Sequence, residues 1–167
     1  MPYITHVYFL KNSSQYDSYG AWAFYKCDNL VKVETPVSIT SIKNYAFSYA
    51  TALKDVNLHN GITSIGENAF EYCASIEINE LPVNLTSLGA NAFRSCGEGL
   101  IVTTIPKDLA VLPDFCFVFC PNVKITTFGS KDGTTSSLYT IGNQCLYQAG
   151  NGTSGASVSS IIIYDSV

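Results

Sequence analysis

The chain has 167 residues, enough for one domain with a buried core, and 47% of them are hydrophobic, too many for a disordered segment. Charged residues make up 13%, against the ~25% usual in soluble domains. The net charge of −4, with nine Lys and Arg, leaves no basic footprint for nucleic acid or for an anionic membrane surface, and no apolar run reaches the ~20 residues of a spanning helix.

The first residues, "MPYITHVYFLKN", have no cationic leader ahead of an apolar core and do not read as a secretory signal. The expectation is either a longer precursor or a route that needs no such signal. "YITHVYFL" (3–10) reads as a first strand. A repeat then takes over. A Phe recurs at Phe24, Phe47, Phe70 and Phe93, followed by Phe117 and, after an insertion "GSKDGTTSS", by Leu146. Five residues before these anchors stand Tyr19, Ile42, Ile65, Leu88, Leu112 and Ile141, and eight before stand Tyr16, Ile39, Ile62, Leu85, Leu109 and Leu138. Gly20, Gly66, Gly89 and Gly142 lie four before their anchors. A period of this size means stacked units, none able to bury its apolar face alone.

Within a unit, "ENAFEYC" places Ala69, Phe70 and Cys73 at i, i+1 and i+4, the spacing of one helical turn. Short strands are expected after each turn, at 30–36, 53–58, 76–82, 100–106 and 123–128, side by side and parallel ~4.8 Å apart, with Pro ending several of them. "SVSSIIIYD" (157–165) reads as a last strand.

The unit, most plainly "ITSIGENAFEYC" and "LTSLGANAFRSC", resembles the BspA-like, or treponemal-type, leucine-rich repeat over residues 3 to 149. That resemblance implies an α/β repeat solenoid: a curved, right-handed coil stack with a parallel sheet on the concave side and short helical or 3-10 turns on the convex side. It implies a single domain over 1–167, with a cap at 1–19, repeats over 20–149 and a C-terminal cap at 150–167. Proteins of this family are mostly secreted or surface proteins associated with adhesion and protein binding.

The chemistry-bearing residues read as structure. Cys27, Cys73, Cys96 and Cys120 stand three after an anchor and Cys116 and Cys145 one before it, all on the core side. Buried free Cys behaves as a small hydrophobe, and without a C-x₂-C pair no metal site is expected. "GNGTSG" (150–155) spells G-x-G-x-x-G but follows a turn and precedes a strand, the wrong order for a dinucleotide site, so no cofactor is expected. His6 and His59 have no partner motif, and the sequons at Asn12, Asn84 and Asn151 are short. The pattern points away from an enzyme.

Binding is the remaining chemistry. Eight after the anchor, on positions expected to face outward, the column reads Lys32, Asp55, Ile78, Val102 and Ile125. Ten after it stand Glu34, Asn57, Glu80, Thr104 and Thr127. An exposed Ile78–Val102–Ile125 ladder rimmed by Glu80, Thr104 and Thr127 would mark a docking site. The competing readings are a one-residue slip of "IEIN" that buries Ile78, or a last insertion that covers the patch. The alternative surface is a ridge two after the anchor, at Tyr49, Tyr72 and Phe119. The expected partner is another protein or a surface glycan. A structural role in a larger assembly, such as a phage virion, is the second function class, with a cell or virion surface as the expected location.

Overall fold

In the computed structural model, residues 3–9, 15–129 and 136–149 are described. The expected last strand at 157–165, the 150–155 insertion and the C-terminal cap lie outside the described residues.

The repeat builds a stack of coils joined by parallel strands. The most regular ladder runs just before each anchor. Strands β2 (Ser18–Tyr19), β4 (Ser41–Ile42), β5 (Ser64–Ile65) and β6 (Ser87–Leu88) form a four-stranded sheet in that order. Its register sets Tyr19 beside Ile42, Ile42 beside Ile65 and Ile65 beside Leu88. Here a Ser faces outward and an apolar residue inward, the period-two alternation of a half-buried strand. The column continues as β8 (Val111–Leu112) paired with β10 (Thr140–Ile141).

The strands expected after each turn are shorter than the sequence suggests. β1 (His6–Val7) pairs with β3 (Lys32–Val33), and β7 (Thr104–Ile105) with β9 (Thr127–Phe128). Between them only lone bridges form, Lys32 with Asp55 and Ile78 with Leu100. Every one of these pairings is parallel.

The expected helical turns are corrected by the backbone. Residues 21–26, 44–49, 67–72, 90–95, 114–119 and 143–148 are chains of tight turns. In each, the residues two before and two after the anchor have positive φ: Trp22 and Lys26, Tyr45 and Tyr49, Asn68 and Tyr72, Asn91 and Ser95, Phe115 and Phe119, Gln144 and Gln148. Past its first turn, a helix bonds every N–H to a carbonyl of its own segment. Here only alternate ones do so, as from Ala46 to Lys43 and from Ser48 to Tyr45. The N–H groups of Tyr45, Phe47 and Tyr49 donate instead to the carbonyls of Glu67, Ala69 and Glu71 in the next coil, at 2.9, 2.8 and 2.8 Å. The same trio of bonds joins each of the other turns to its successor, always with the donor on the earlier coil.

The core lies between the strand column and the turns. Phe47, Phe70, Phe93 and Phe117 are fully buried, with half-buried Phe24 and Leu146 at the ends. Their rings stack nearly parallel at centroid spacings of 5.1, 5.2, 5.3 and 5.7 Å from Phe24 to Phe117. The rings are thus spaced by the coil repeat. All six cysteines are buried, and the thiols of Cys73, Cys96 and Cys120 donate to the carbonyls of Phe47, Phe70 and Phe93 at 3.1, 3.2 and 2.9 Å. Burial pushes the Cys73, Cys96 and Cys116 thiols well up, away from the reactive thiolate. Tyr19, in a column otherwise aliphatic, donates its hydroxyl to Thr35, which donates to the Val56 carbonyl. Burial lifts its phenol to about 12.

Candidate functional site

The strand face does not carry the expected apolar ladder. Val102 is 0% exposed and Ile78 6%, while Ile125 is half-buried against the core. The cause is a change of phase between coils. In the first two units Leu30 and Val33, then Leu53 and Val56, point inward, so residues 31–32 and 54–55 step outward in pairs. In the next two units Ile76 and Ile78, then Leu100 and Val102, point inward, and the paired step moves to 79–80 and 103–104. Burying one such β-branched residue is worth about 1.5–3 kcal/mol, so the chain moves the irregular step rather than leave Ile78 or Val102 in water. The ladder breaks at that point, with Asp55 bridged to Lys32 but Ile78 bridged to Leu100.

What remains outward on the strand face is mostly polar, with Ile101, 42% exposed, the apolar exception in the 100–106 segment. Lys32 lies 3.2 Å from Asp55 and 3.8 Å from Glu34, and Lys54 lies 3.0 Å from Glu77; such exposed pairs contribute little. Glu80 and Thr104 line a groove of about 300 Å³ with Leu81, Val83 and Pro106. Gly129 lines it too. Thr127, in β9, is half-buried.

The turn face is different. Trp22 stacks on Tyr45 with ring centroids 4.0 Å apart and planes 5° from parallel. Tyr25 meets Trp22 edge-on at 4.8 Å and Tyr49 edge-on at 6.1 Å, and Tyr49 stacks on Tyr72 at 4.7 Å. Five rings thus form one continuous surface over the first three coils, with Trp22 51% and Tyr49 38% exposed. The Lys26 ammonium lies over two of them, 5.2 Å from the Tyr25 centroid and 5.8 Å from that of Tyr49.

Of the three expected ridge residues, Tyr49 and Tyr72 are therefore in contact, and Phe119 is not with them. Ser95 holds its column between, and Phe119 pairs with Tyr147 at 6.0 Å. The gap is a polar waist. Asn68 donates to the buried Glu71 carboxylate at 2.8 Å, and the Arg94 guanidinium approaches it at 4.0 Å.

Sequence reasoning missed Trp22, Tyr25 and Tyr45. Trp22 and Tyr45 share a column with Asn68 and Asn91, the residue type that best tolerates a left-handed backbone after Gly. That pair of asparagines is the one signal of the true turn geometry, and the aromatics beside it hid it.

A parallel-strand stack of coils, with inward Leu, Ile and Phe at fixed columns, defines a leucine-rich repeat domain. Residues 17–151 match the BspA type leucine rich repeat region in six copies, and the chain belongs to that family. No curated protein matches it. Among solved structures it is similar to the leucine rich repeat protein of T. pallidum, at 24% identity and a TM-score of 0.52 over 75% of this chain and 66% of that one. It is also similar to a leucine rich cell surface protein from Faecalibacterium prausnitzii A2-165, at 21% identity and a TM-score of 0.55 over 80% and 38%. A leucine-rich repeat protein from Bacteroides ovatus ATCC 8483 aligns at 21% identity with a TM-score of 0.46 over 80% and 45%. The chain spans less than half the length of the last two. These likenesses concern the fold.

Proposed function

We propose that the chain is a protein-interaction module whose docking surface is the aromatic turn face of the first three coils, Trp22, Tyr25, Tyr45, Tyr49 and Tyr72. The leucine-rich repeat fold is commonly such a module. One observation carries the choice of surface. A left-handed backbone costs any residue with a Cβ about 1–2 kcal/mol, yet Trp22, Tyr45, Tyr49 and Tyr72 all occupy it. Asn would serve the backbone better, as it does at Asn68 and Asn91. Rings held at a cost to the fold and left open to solvent are what a docking surface needs. Trp and Tyr are also the residues that dominate binding energy at protein interfaces. The F. prausnitzii protein is described as a cell surface protein, which supports a surface location for this one too.

The test is a variant with Trp22→Asn, Tyr45→Asn and Tyr49→Asn. Its melting temperature should be unchanged or higher, because Asn relieves the backbone, while proteins retained from a cell-surface extract by the parent chain are lost. A second variant, Thr104→Lys with Thr127→Lys, should keep those same proteins. Loss of capture in the strand-face variant and retention in the turn-face variant would refute the assignment.

A further inference from the structure

The geometry points to a cation seat at the first-coil end of this aromatic face, built for arginine side chains of a basic protein segment and held in the free protein by Lys26. The inference rests on the docking surface proposed above and specifies its partner.

Two independent features support it. The first is the arrangement of rings. Tyr25 stands nearly perpendicular to both Trp22 and Tyr49, at 79° and 81°, so the rings form walls rather than a flat platform. The ammonium of Lys26 lies within 6 Å of two of those walls, the distance at which a cation is drawn to the negative face of a ring. Lys26 itself is exposed. An exposed ammonium is held only weakly there, so a partner's cation can exchange with it.

The second feature is the direction of the turn ladder. The carbonyls of Asn44, Ala46 and Ser48 accept N–H groups from the coil before them. Their counterparts in the first turn are the carbonyls of Ala21, Ala23 and Tyr25. Among the described residues no N–H is bonded to these three. They form a short row of acceptors on the turn of Trp22 and Tyr25, on the side away from the second coil. A guanidinium has the chemistry for either feature, since its flat face stacks on an aromatic ring and its N–H groups donate to carbonyls. A neutral sugar offers no charge to the rings, and a quaternary ammonium offers no donor to the carbonyls. The chain's net charge of −4 also favours a basic partner over an acidic one.

Trp22 is the only tryptophan, so its emission reports on this seat alone. The probes are a blocked Gly-Arg-Gly-Arg-Gly peptide and its citrulline twin, which keeps shape and loses charge, titrated at 0.15 M salt to suppress diffuse attraction. The arginine peptide should change Trp22 emission saturably, with the citrulline peptide about tenfold weaker. Lys26→Met empties the seat and should tighten the arginine peptide about three- to tenfold. Lys43→Met removes the same charge from an exposed position outside the ring cluster and should change affinity less than twofold. Tyr49→Asn should weaken the peptide about fivefold or more. If both peptides bind alike and both are lost in Tyr49→Asn, the cation seat is wrong and the docking surface stands. If Tyr49→Asn binds both as the parent does, the docking surface fails with it. A titration in which neither peptide moves the emission, or in which neutral dextran does, also overturns the seat.

Discussion

Phe70→Ala isolates what holds the stack together. Phe70 is fully buried, with the Phe47 ring 5.2 Å away on one side and the Phe93 ring 5.3 Å away on the other. Truncating a buried Phe to Ala costs about 3–5 kcal/mol, and each lost ring pair adds about 0.5–1.5 kcal/mol. Because these terms overlap, we take about 4–6 kcal/mol in all. For a chain of this size that is a fall of roughly 10–20 °C in melting temperature. Leu146 ends the same column, is half-buried, and has a described neighbour coil on one side only. Leu146→Ala should therefore cost about 1–2 kcal/mol, the lower part of the Leu→Ala range scaled to its burial. Urea unfolding of both variants, followed by circular dichroism and by Trp22 emission, gives the two values. Equal midpoint shifts would show that the stack has no packing gradient from centre to end and would refute the nearest-neighbour account of its stability.

Val102→Asp should unfold the chain or cost several kcal/mol at neutral pH, since it buries a carboxylate without a partner, and low pH should rescue it in part; Ile125→Asp should cost clearly less, and a Val102→Asp protein that melts like the parent would restore the exposed strand-face ladder. Gly89→Ala should destabilise by about 1–3 kcal/mol, because a Cβ there would lie 2.3 Å from the Glu67 backbone nitrogen, whereas Gly20→Ala, with nothing within 4 Å, should be silent; equal melting temperatures would refute the close approach of these coils. Stability should also fall on the alkaline side: the buried thiols of Cys73, Cys96 and Cys116 have folded-state values raised above the ~8.5 of an unfolded chain, and Tyr19 is raised to about 12 from ~10. Their contribution is complete below about pH 8.5 and is lost as pH rises, by up to about 1.4 kcal/mol per pH unit for each group that ionises only when unfolded; a urea midpoint unchanged from pH 7 to 10 under reducing conditions would contradict it.

The coil stack was legible because stacking forces the same chemistry onto the same position of every unit. Phe47, Phe70 and Phe93 must each meet the next ring, and Ile42, Ile65 and Leu88 must each enter one ladder, so the columns survive at 23-residue spacing. Burial of the cysteines followed from the same columns. Two things were not legible. The apolar spacing of Ala69, Phe70 and Cys73 suits a helical turn equally well, and only bonds to the neighbouring coil, absent from local sequence, select the left-handed turns. The strand phase was also hidden. Counting from the anchor put Ile78 and Val102 in the column of Lys32 and Asp55, but a chain with an irregular two-residue step can place it wherever burial gains most. The proposed docking surface was half-visible: Tyr49 and Tyr72 were found as a column, while Trp22, Tyr25 and Tyr45 join it across columns, through contacts between coils.

The uniform direction of the turn bonds also gives each coil a front and a back. Its turn accepts on the side of the preceding coil and donates on the side of the following one. Two identical ends related by a two-fold axis would bring donor against donor, or acceptor against acceptor, and leave both rows unpaired. Only front-to-back contact completes them, and that arrangement leads to rings or open filaments rather than to closed pairs. Duplicating a whole coil lengthens the molecule with every bond intact, whereas splicing in a part of one breaks the register on both sides. Change of length is therefore easiest in whole units, or in an insertion such as the sequence carries between Gly129 and Ser137, two residues whose backbone N–H groups donate to Ile105 and Lys107 in the coil before.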